Sequence, residues 1–322
     1  MAHGIMLDKG DTMVSANNVI PWHGLGTVVA GMLTAKECLT LAKLAWTVGK
    51  QPLFYRIGDK EYKAEDSFAV VRNDTNASLG TVGARYTEIQ NTDGLDILDP
   101  VIGDAAHYET AGSLFGGKIV WFLARVGKDW SINGDTFKQF VLIYLSHDGT
   151  LAVTARFVTV RVVCANTLSA AISGVKAQVS IRHTKNFRDK VEEAHRVLKL
   201  QSIHAREFEK AMAKLAEEKM GERAAWSFLN SLIPSEEKQE RFAVEAKGPE
   251  RSRNEIFSLY REGKGNEGKT RYDMLNGVTE YVDHKRSTRL HGDTNPAEQR
   301  FEATQLTTGA GMKEKAFALL MN

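Results

Sequence analysis

The apolar positions between Gln139 and Val163 recur with the short period of β-structure. Phe140 to Leu145 is an unbroken aliphatic and aromatic run closed by His147-Asp148-Gly149, where Asp-Gly supplies the positive-φ geometry of a tight hairpin. Beyond the turn, Leu151, Val153, Phe157, Val158, Val160, Val162 and Val163 continue as a β-rich segment interrupted only by the cations Arg156 and Arg161. A buried strand that tolerates only cations either pairs them with acids or presents them to an anionic ligand. Upstream, the period is also two. Trp46 to Val48, Pro52 to Arg56, Glu61 to Lys63 and Ser67 to Arg72 read as short strands of a meander, broken by turn signals at Gly58-Asp59 and Asn73-Asp74. Leu79 to Ile89 is a further strand, with Gly80 and Gly83 permitting a bulge or a close backbone approach. Tyr108 to Leu114 and Lys118 to Val126 form a hairpin through Phe115-Gly116-Gly117, and Asp135 to Leu145 returns after the Asn133-Gly134 turn.

Helical spacing interrupts this pattern. Thr34 and Glu37 form a capping-box signature ahead of Leu39, Leu41 and Leu44, and Gln90-Asn91 precedes a helix from Thr92 to about Gly103. Asn166 to Ile172 reads as a short helix capped by Asn166 and ended by Gly174, followed by alternation from Lys176 to His183. From Phe187 the spacing lengthens to threes and fours: Phe187, Val191, Ala194, Leu198, Gln201, Ala205, Phe208, Met212 and Leu215 align one seam of a long helix. Such a seam needs a partner, either a second helix of this chain or a neighbouring subunit. Gly221 and Pro234 bound the next helix; Asn254 to Arg261, Tyr272 to Val282 and Lys313 to Leu320 are helical, with polar stretches at Ser235 to Lys247 and Asp283 to Gly311. The fold class expected is therefore α+β, a mostly antiparallel sheet with inserted helices, followed by a helical C-terminal region with one long helix. Residues 1–184 form the sheet domain and 185–322 the helical region.

Composition narrows the function. The 322 residues, 43% hydrophobic and 25% charged, suit a soluble globular protein, and a formal charge of +2 excludes a polycation, so any anion-binding role must come from local clustering. No run approaches a membrane span, and Met1 to Lys9 lacks signal-peptide order. Cys38 and Cys164, far apart, make neither a zinc pattern nor a disulfide framework, which fits a reducing cytoplasm. Neither metal nor cofactor is expected. The three aspartates Asp93, Asp96 and Asp99 share a helix face with no histidine nearby, and His23, in the Pro21-Trp22-His23-Gly24 loop, stands alone. Positive charge does cluster from Lys176 to Arg206, where eight cations outnumber Asp189, Glu192 and Glu193. Arg156, Arg161, Arg182, Lys185 and Arg188 are thus candidates to hold phosphates, with Tyr86 or Trp121 available to stack bases. Gly263 to Thr270 fits the letters GxxxxGK[ST], making Lys269 and Thr270 candidate phosphate ligands, although an amphipathic helix precedes them where a phosphate loop has a strand. Asp283, His284, Lys285 and Arg286 with Arg289, His291 and Arg300 form a second basic cluster.

Met1 to Ile5, the Pro21 to Gly26 block, Gly83 to Tyr86 with Gln90-Asn91, Gly116-Gly117 before Val120-Trp121, Arg161 to Leu168 and Tyr281 to His284 occur in an order that resembles a family of phage- and plasmid-like proteins classed as a domain of unknown function. The resemblance covers most of the chain and carries no catalytic residues. It implies a mobile element working in a bacterial cytoplasm, a setting in which recombination or strand-annealing proteins combine an antiparallel sheet, a helical tail and local basic surface. The expectation is a non-catalytic, homo-oligomeric single-stranded DNA-binding protein without a membrane partner. The alternatives are an interaction or counter-defence factor docking through the Phe187 to Leu215 seam, and a nucleotide-binding enzyme using residues 263–270.

Overall fold

A computed structural model describes residues 12–16, 27–102, 107–161, 166–168, 178–198, 201–234, 247–286 and 308–322. The Pro21 to Gly26 block, Arg289, His291 and Arg300 lie outside them.

Among the described residues the larger sheet is built from β1 (Met13–Ser15), β2 (Thr27–Val28), β6 (His107–Leu114), β7 (Ile119–Arg125), β8 (Trp130–Ile132), β9 (Asp135–Ser146), β10 (Val153–Arg161), β11 (Asn166–Leu168) and β12 (Gln178–Ile181). Its order is β11-β10-β9-β7-β6-β1-β2; β12 shares an edge of β10 with β11, and β8 pairs with β9. All ladders are antiparallel except β1 with β2. Strand alternation divides the side chains of the central strands. Val120, Phe122, Ala124, Val141, Ile143, Leu145, Ala155 and Phe157 enter the principal core, while Ile119, Trp121, Phe140, Leu142, Tyr144 and Val158 pack on the opposite face. The expected hairpins form in register, with Asn133 and Gly134 both at positive φ (49° and 86°) as the two-residue turn requires.

A second sheet, β3 (Val48–Ile57), β4 (Lys60–Arg72) and β5 (Ser78–Gly83), is a three-stranded antiparallel meander. The four short strands expected between Trp46 and Arg72 are two long ones, and β5 ends at Gly83 rather than Ile89. Gly80 fulfils its expectation. A Cβ there would come 2.7 Å from the Asp148 Cβ, so only glycine lets β5 touch the turn after β9. Helices α1 (Ala35–Leu41) and α2 (Asn91–Ile102) pack against the principal core; Thr34 and Glu37 close the capping box on α1. One local expectation fails. Asn166 to Leu168 is strand, because pairing with Thr159 to Arg161 on β10 outweighs a cap-like sequence.

The C-terminal region comprises α3 (Phe187–Leu198), α4 (Gln201–Glu217), α5 (Glu222–Leu232), α6 (Lys247–Glu262), α7 (Arg271–Glu280), a π-turn at Tyr281–Lys285 and α8 (Thr308–Met321). The seam of α3 and α4 finds its partner within the chain. Phe187 joins the sheet core, whereas Phe208, Met212 and Leu215 join a helical core around α7 that also takes in Phe137. Those four seam positions are therefore taken up within the chain, and the side chains of Ala194, Leu198 and Gln201 lie outside the described residues. Residues Tyr272 to Glu280 are all buried, so α7 is the axis of the helical region. The Tyr272 hydroxyl donates to Asp135 at 2.7 Å, tying that axis to the sheet.

Candidate nucleic-acid interface

The residues expected to hold a nucleic-acid strand do not share one surface. Arg156 is 5% exposed; its guanidinium donates to the Gln178 carboxamide on β12 and sits 3.5 Å from the Glu314 carboxylate of α8. The central position of β10 fixes this: a cation between two strands and beneath a helix must be paired. Arg156 is thereby withdrawn from phosphate contact. Arg161 ends β10 opposite Asn166, and its side chain lies outside the described residues. Trp121 is 4% exposed within the core on the far face of the sheet, which removes it as a stacking platform.

Tyr86 is half-buried, with one ring face lying on the His183 imidazole at 4.8 Å and 12° and its hydroxyl donating to the Ser146 carbonyl at 3.2 Å. Burial raises its phenol above the ordinary value. Both features make it part of a joint between the two sheets rather than a free stacking face. His147 is the other half of the joint. The Asn91 amide donates to the carbonyls of Leu44 (2.8 Å) and Trp46 (3.3 Å), which turns its oxygen toward His147 Nε2 at 2.8 Å. His147 therefore carries its proton on Nε2. Burial, then the nearby His183 and Arg72, push His147 down to about 3. Burial pushes His183 down to about 4 against the opposing pull of the Thr87 and Leu151 backbone and of Asp148. Arg72 completes the joint by lying over the Trp46 ring at 4.2 Å, donating to Gly116 O at 3.1 Å and gripping Asp74 at 3.0 and 2.8 Å.

In the loop from Gly263 to Thr270 the amides of Gly263, Lys264, Asn266, Lys269 and Thr270 are committed. It joins α6 to α7, with no strand before it. The Asp273 carboxylate accepts from the Lys269 amide (3.0 Å) and the Thr270 amide (3.1 Å), Glu280 accepts from the Lys264 amide (3.2 Å), and the Thr270 hydroxyl caps α7. Lys269 pairs with Glu267 at 2.8 Å in full solvent. Two carboxylates thus occupy three of the loop's amides, and they would repel a phosphate. Asp283 is spoken for as well, buried against Lys313 at 2.8 Å. Among the described residues no group of three His, Cys, Asp or Glu is placed to hold a metal ion.

What remains together is Arg182, Lys185 and Arg188, at the end of β12 and the start of α3. All three are exposed and form no ion pair among the described residues. The Thr87 amide donates to the His183 carbonyl at 3.1 Å, which sets the loop after β5 beside this stretch. That loop carries Arg85, also exposed and without a counter-ion among the described residues. Sequence reading missed Arg85 because it is a lone cation between β5 and α2 and gains company only through the Thr87 to His183 hydrogen bond.

The same loop is the root of a second feature that sequence reading missed. Lys50 Nζ donates to the carbonyls of Tyr86 (2.8 Å) and Ala84 (3.3 Å), and Ser67 pairs with Gly83, the last residue of β5. Beyond that point, among the described residues, β3 and β4 pair only with each other. Their register runs Phe54 to Lys63, Tyr55 to Tyr62, Arg56 to Glu61 and Ile57 to Lys60, after an irregularity between Pro52 and Phe54. Directly opposed residues share a face, so Tyr55, Ile57, Lys60 and Tyr62 lie on one side and Phe54, Arg56, Glu61 and Lys63 on the other. The Tyr55 and Tyr62 rings stack at 5.5 Å. Phe54, Tyr55, Ile57 and Tyr62 are 54%, 51%, 64% and 41% exposed. The legible signal was that the apolar residues Phe54, Tyr55 and Ile57 occupy both parities of β3.

No helix among the described residues is long and apolar enough to cross a membrane. No curated protein and no solved structure matches the chain. The family model that does match spans residues 78–303, from β5 through the axis of the helical region, and the chain accordingly belongs to the family described as Domain of unknown function (DUF932).

Proposed function

We propose that this protein is a non-catalytic single-stranded DNA-binding protein of a phage or plasmid, assisting recombination or replication by holding unpaired strands. The observation that carries the reading is the group Arg85, Arg182, Lys185 and Arg188: four exposed cations without counter-ions among the described residues, on two segments joined by the Thr87 to His183 hydrogen bond. Unpaired surface cations keep their full attraction for phosphate, whereas a cation already bound to a carboxylate contributes little. Phosphate contacts of this kind are sequence-tolerant, as strand holding requires. Arg156 and Trp121 have no part in this reading, and Tyr86 acts in it only by holding the Arg85 loop against His183.

A fluorescence-anisotropy titration with a labelled single strand at two salt concentrations tests it. Four phosphate contacts give an affinity that falls with salt at a log–log slope of about −2.8, from about −0.7 per contact. Replacing Arg182, Lys185 and Arg188 together by Gln should bring the slope near −0.7 and weaken binding at low salt at least about tenfold. No binding at low salt, or binding indifferent to salt, overturns the proposal.

A further inference from the structure

The outer half of β3 and β4 is a two-stranded ribbon with apolar groups on both faces, and nothing else among the described residues pairs with it. A lone two-stranded ribbon is marginal in water, and exposed phenylalanine, isoleucine and paired tyrosines at its tip raise the cost of leaving it bare. We infer that this ribbon is the contact between two copies of the chain, the Tyr55, Ile57 and Tyr62 face of one packing on the same face of the other about a two-fold axis.

Charge decides the occupant. From Phe54 to Asp66 the cations Arg56, Lys60 and Lys63 stand beside the acids Asp59, Glu61, Glu65 and Asp66, three against four. A polyanion would meet at least as much repulsion as attraction there, whereas a surface carrying both signs in near-equal number complements a copy of itself. The side chains agree. Ile57, the most exposed of the four, has no π-face to offer a base, while aromatic residues around an aliphatic centre with charges at the rim are the composition of a protein contact. The edge is selective as well. At its root β3 is covered by side chains standing in for a strand: Gln90 bonds the Val48 amide and carbonyl (2.9 and 3.0 Å) and Glu88 accepts from the Lys50 amide (3.0 Å). Pro52 has no amide to offer. Strand addition is thus blocked at the root of β3, which leaves the exposed face of the outer ribbon as the place where a second copy can sit. The inference is independent of the DNA proposal, because none of Arg85, Arg182, Lys185 and Arg188 belongs to the ribbon.

Sedimentation velocity on the full chain over a range of concentrations is the first measurement. The expected result is a mass of two chains, and Tyr55→Ser with Ile57→Lys should raise the self-dissociation constant by about 100-fold. A chain that sediments as one copy throughout overturns the inference, as does a double variant that keeps the parent mass. In case the double variant misfolds, Ile57→Cys offers an independent reading. This tip position touches no core, and a short bismaleimide should join two copies through it. Failure to cross-link overturns the inference. If the parent is a single copy and the double variant loses affinity for the labelled strand, the ribbon is a nucleic-acid surface and the inference falls while the DNA proposal stands.

Discussion

The outer ribbon of β3 and β4 and the axial helix α7 invert the same rule in opposite directions. The ribbon exposes Phe54, Tyr55, Ile57 and Tyr62; α7 buries Asp273, Thr279 and Glu280. What separates them is whether the chain supplies partners. In α7 it does: the Asp273 carboxylate takes two backbone amides, Glu280 takes the Lys264 amide and the Thr279 hydroxyl donates to the Asn276 carbonyl. Buried polar groups so satisfied hold α6, α7 and their connecting loop in one arrangement. Gly277 adds to this, since a Cβ there would lie 2.8 Å from the Tyr260 backbone nitrogen of α6. The ribbon has no comparable partner among the described residues. Polarity misplaced with partners is architecture, and apolarity misplaced without them is an unfilled contact.

The largest effect is expected at the continuation of α7, where Lys313 and Asp283 pair at 2.8 Å with side chains 3% and 4% exposed. Lys313→Ala leaves a carboxylate buried without its cation and should cost about 3–5 kcal/mol in urea unfolding. The double replacement Lys313→Met with Asp283→Leu, which removes both charges and keeps the volume, should recover most of that loss. A single variant that unfolds like the parent would break the contrast, because α7 would then be no more dependent on its partners than the ribbon.

An intermediate effect is expected at the joint that roots the ribbon. His147 and His183 are held neutral, at about 3 and about 4, against 6.5 for the free side chain. The unfolded chain therefore binds protons that the folded chain refuses, so the stabilisation is complete above pH 6.5 and is lost as the pH falls toward 4 and then 3. By pH 5 each histidine should have withdrawn about 2 kcal/mol. Replacing His183 by Phe keeps a ring against Tyr86 and removes one titrating group, so this variant should lose about 2 kcal/mol less than the parent between pH 7 and pH 5. Equal losses in the two proteins would place the proton uptake elsewhere.

The order of strands and helices was legible because period and turn chemistry are local. Asn133-Gly134, the Thr34 and Glu37 box and the run from Phe140 to Leu145 need only neighbours to be read. Asn166 to Leu168 was misread because its strand exists only through β10. The candidate site was legible only in part, for the same reason at a larger scale. Arg156 and Arg182 look alike in sequence, and only the arrival of Gln178 and Glu314 from other elements separates a structural cation from an available one. Aromatic residues were as ambiguous. Trp121 and Tyr55 both sit in strands, but β7 lies between two partners, whereas the outer part of β3 has one.

The smallest effect is expected in the ribbon itself, and it is the sharpest test of the comparison. Side chains more than half exposed contribute little to the fold of one copy, so Phe54→Ser or Ile57→Lys should change urea unfolding of the separated chain by less than about 0.5 kcal/mol. Lys269→Ala supplies the control, because its pairing with Glu267 stands in full solvent and its loss should leave unfolding unchanged. Substitutions in the ribbon that cost as much as those beside α7 would mean that the tip supports its own chain, and its apolar face would then need no second copy to explain it. If unfolding is unmoved while the sedimenting mass falls, the apolar tip serves association and not folding, since the same side chains would be dispensable within one chain and indispensable between two.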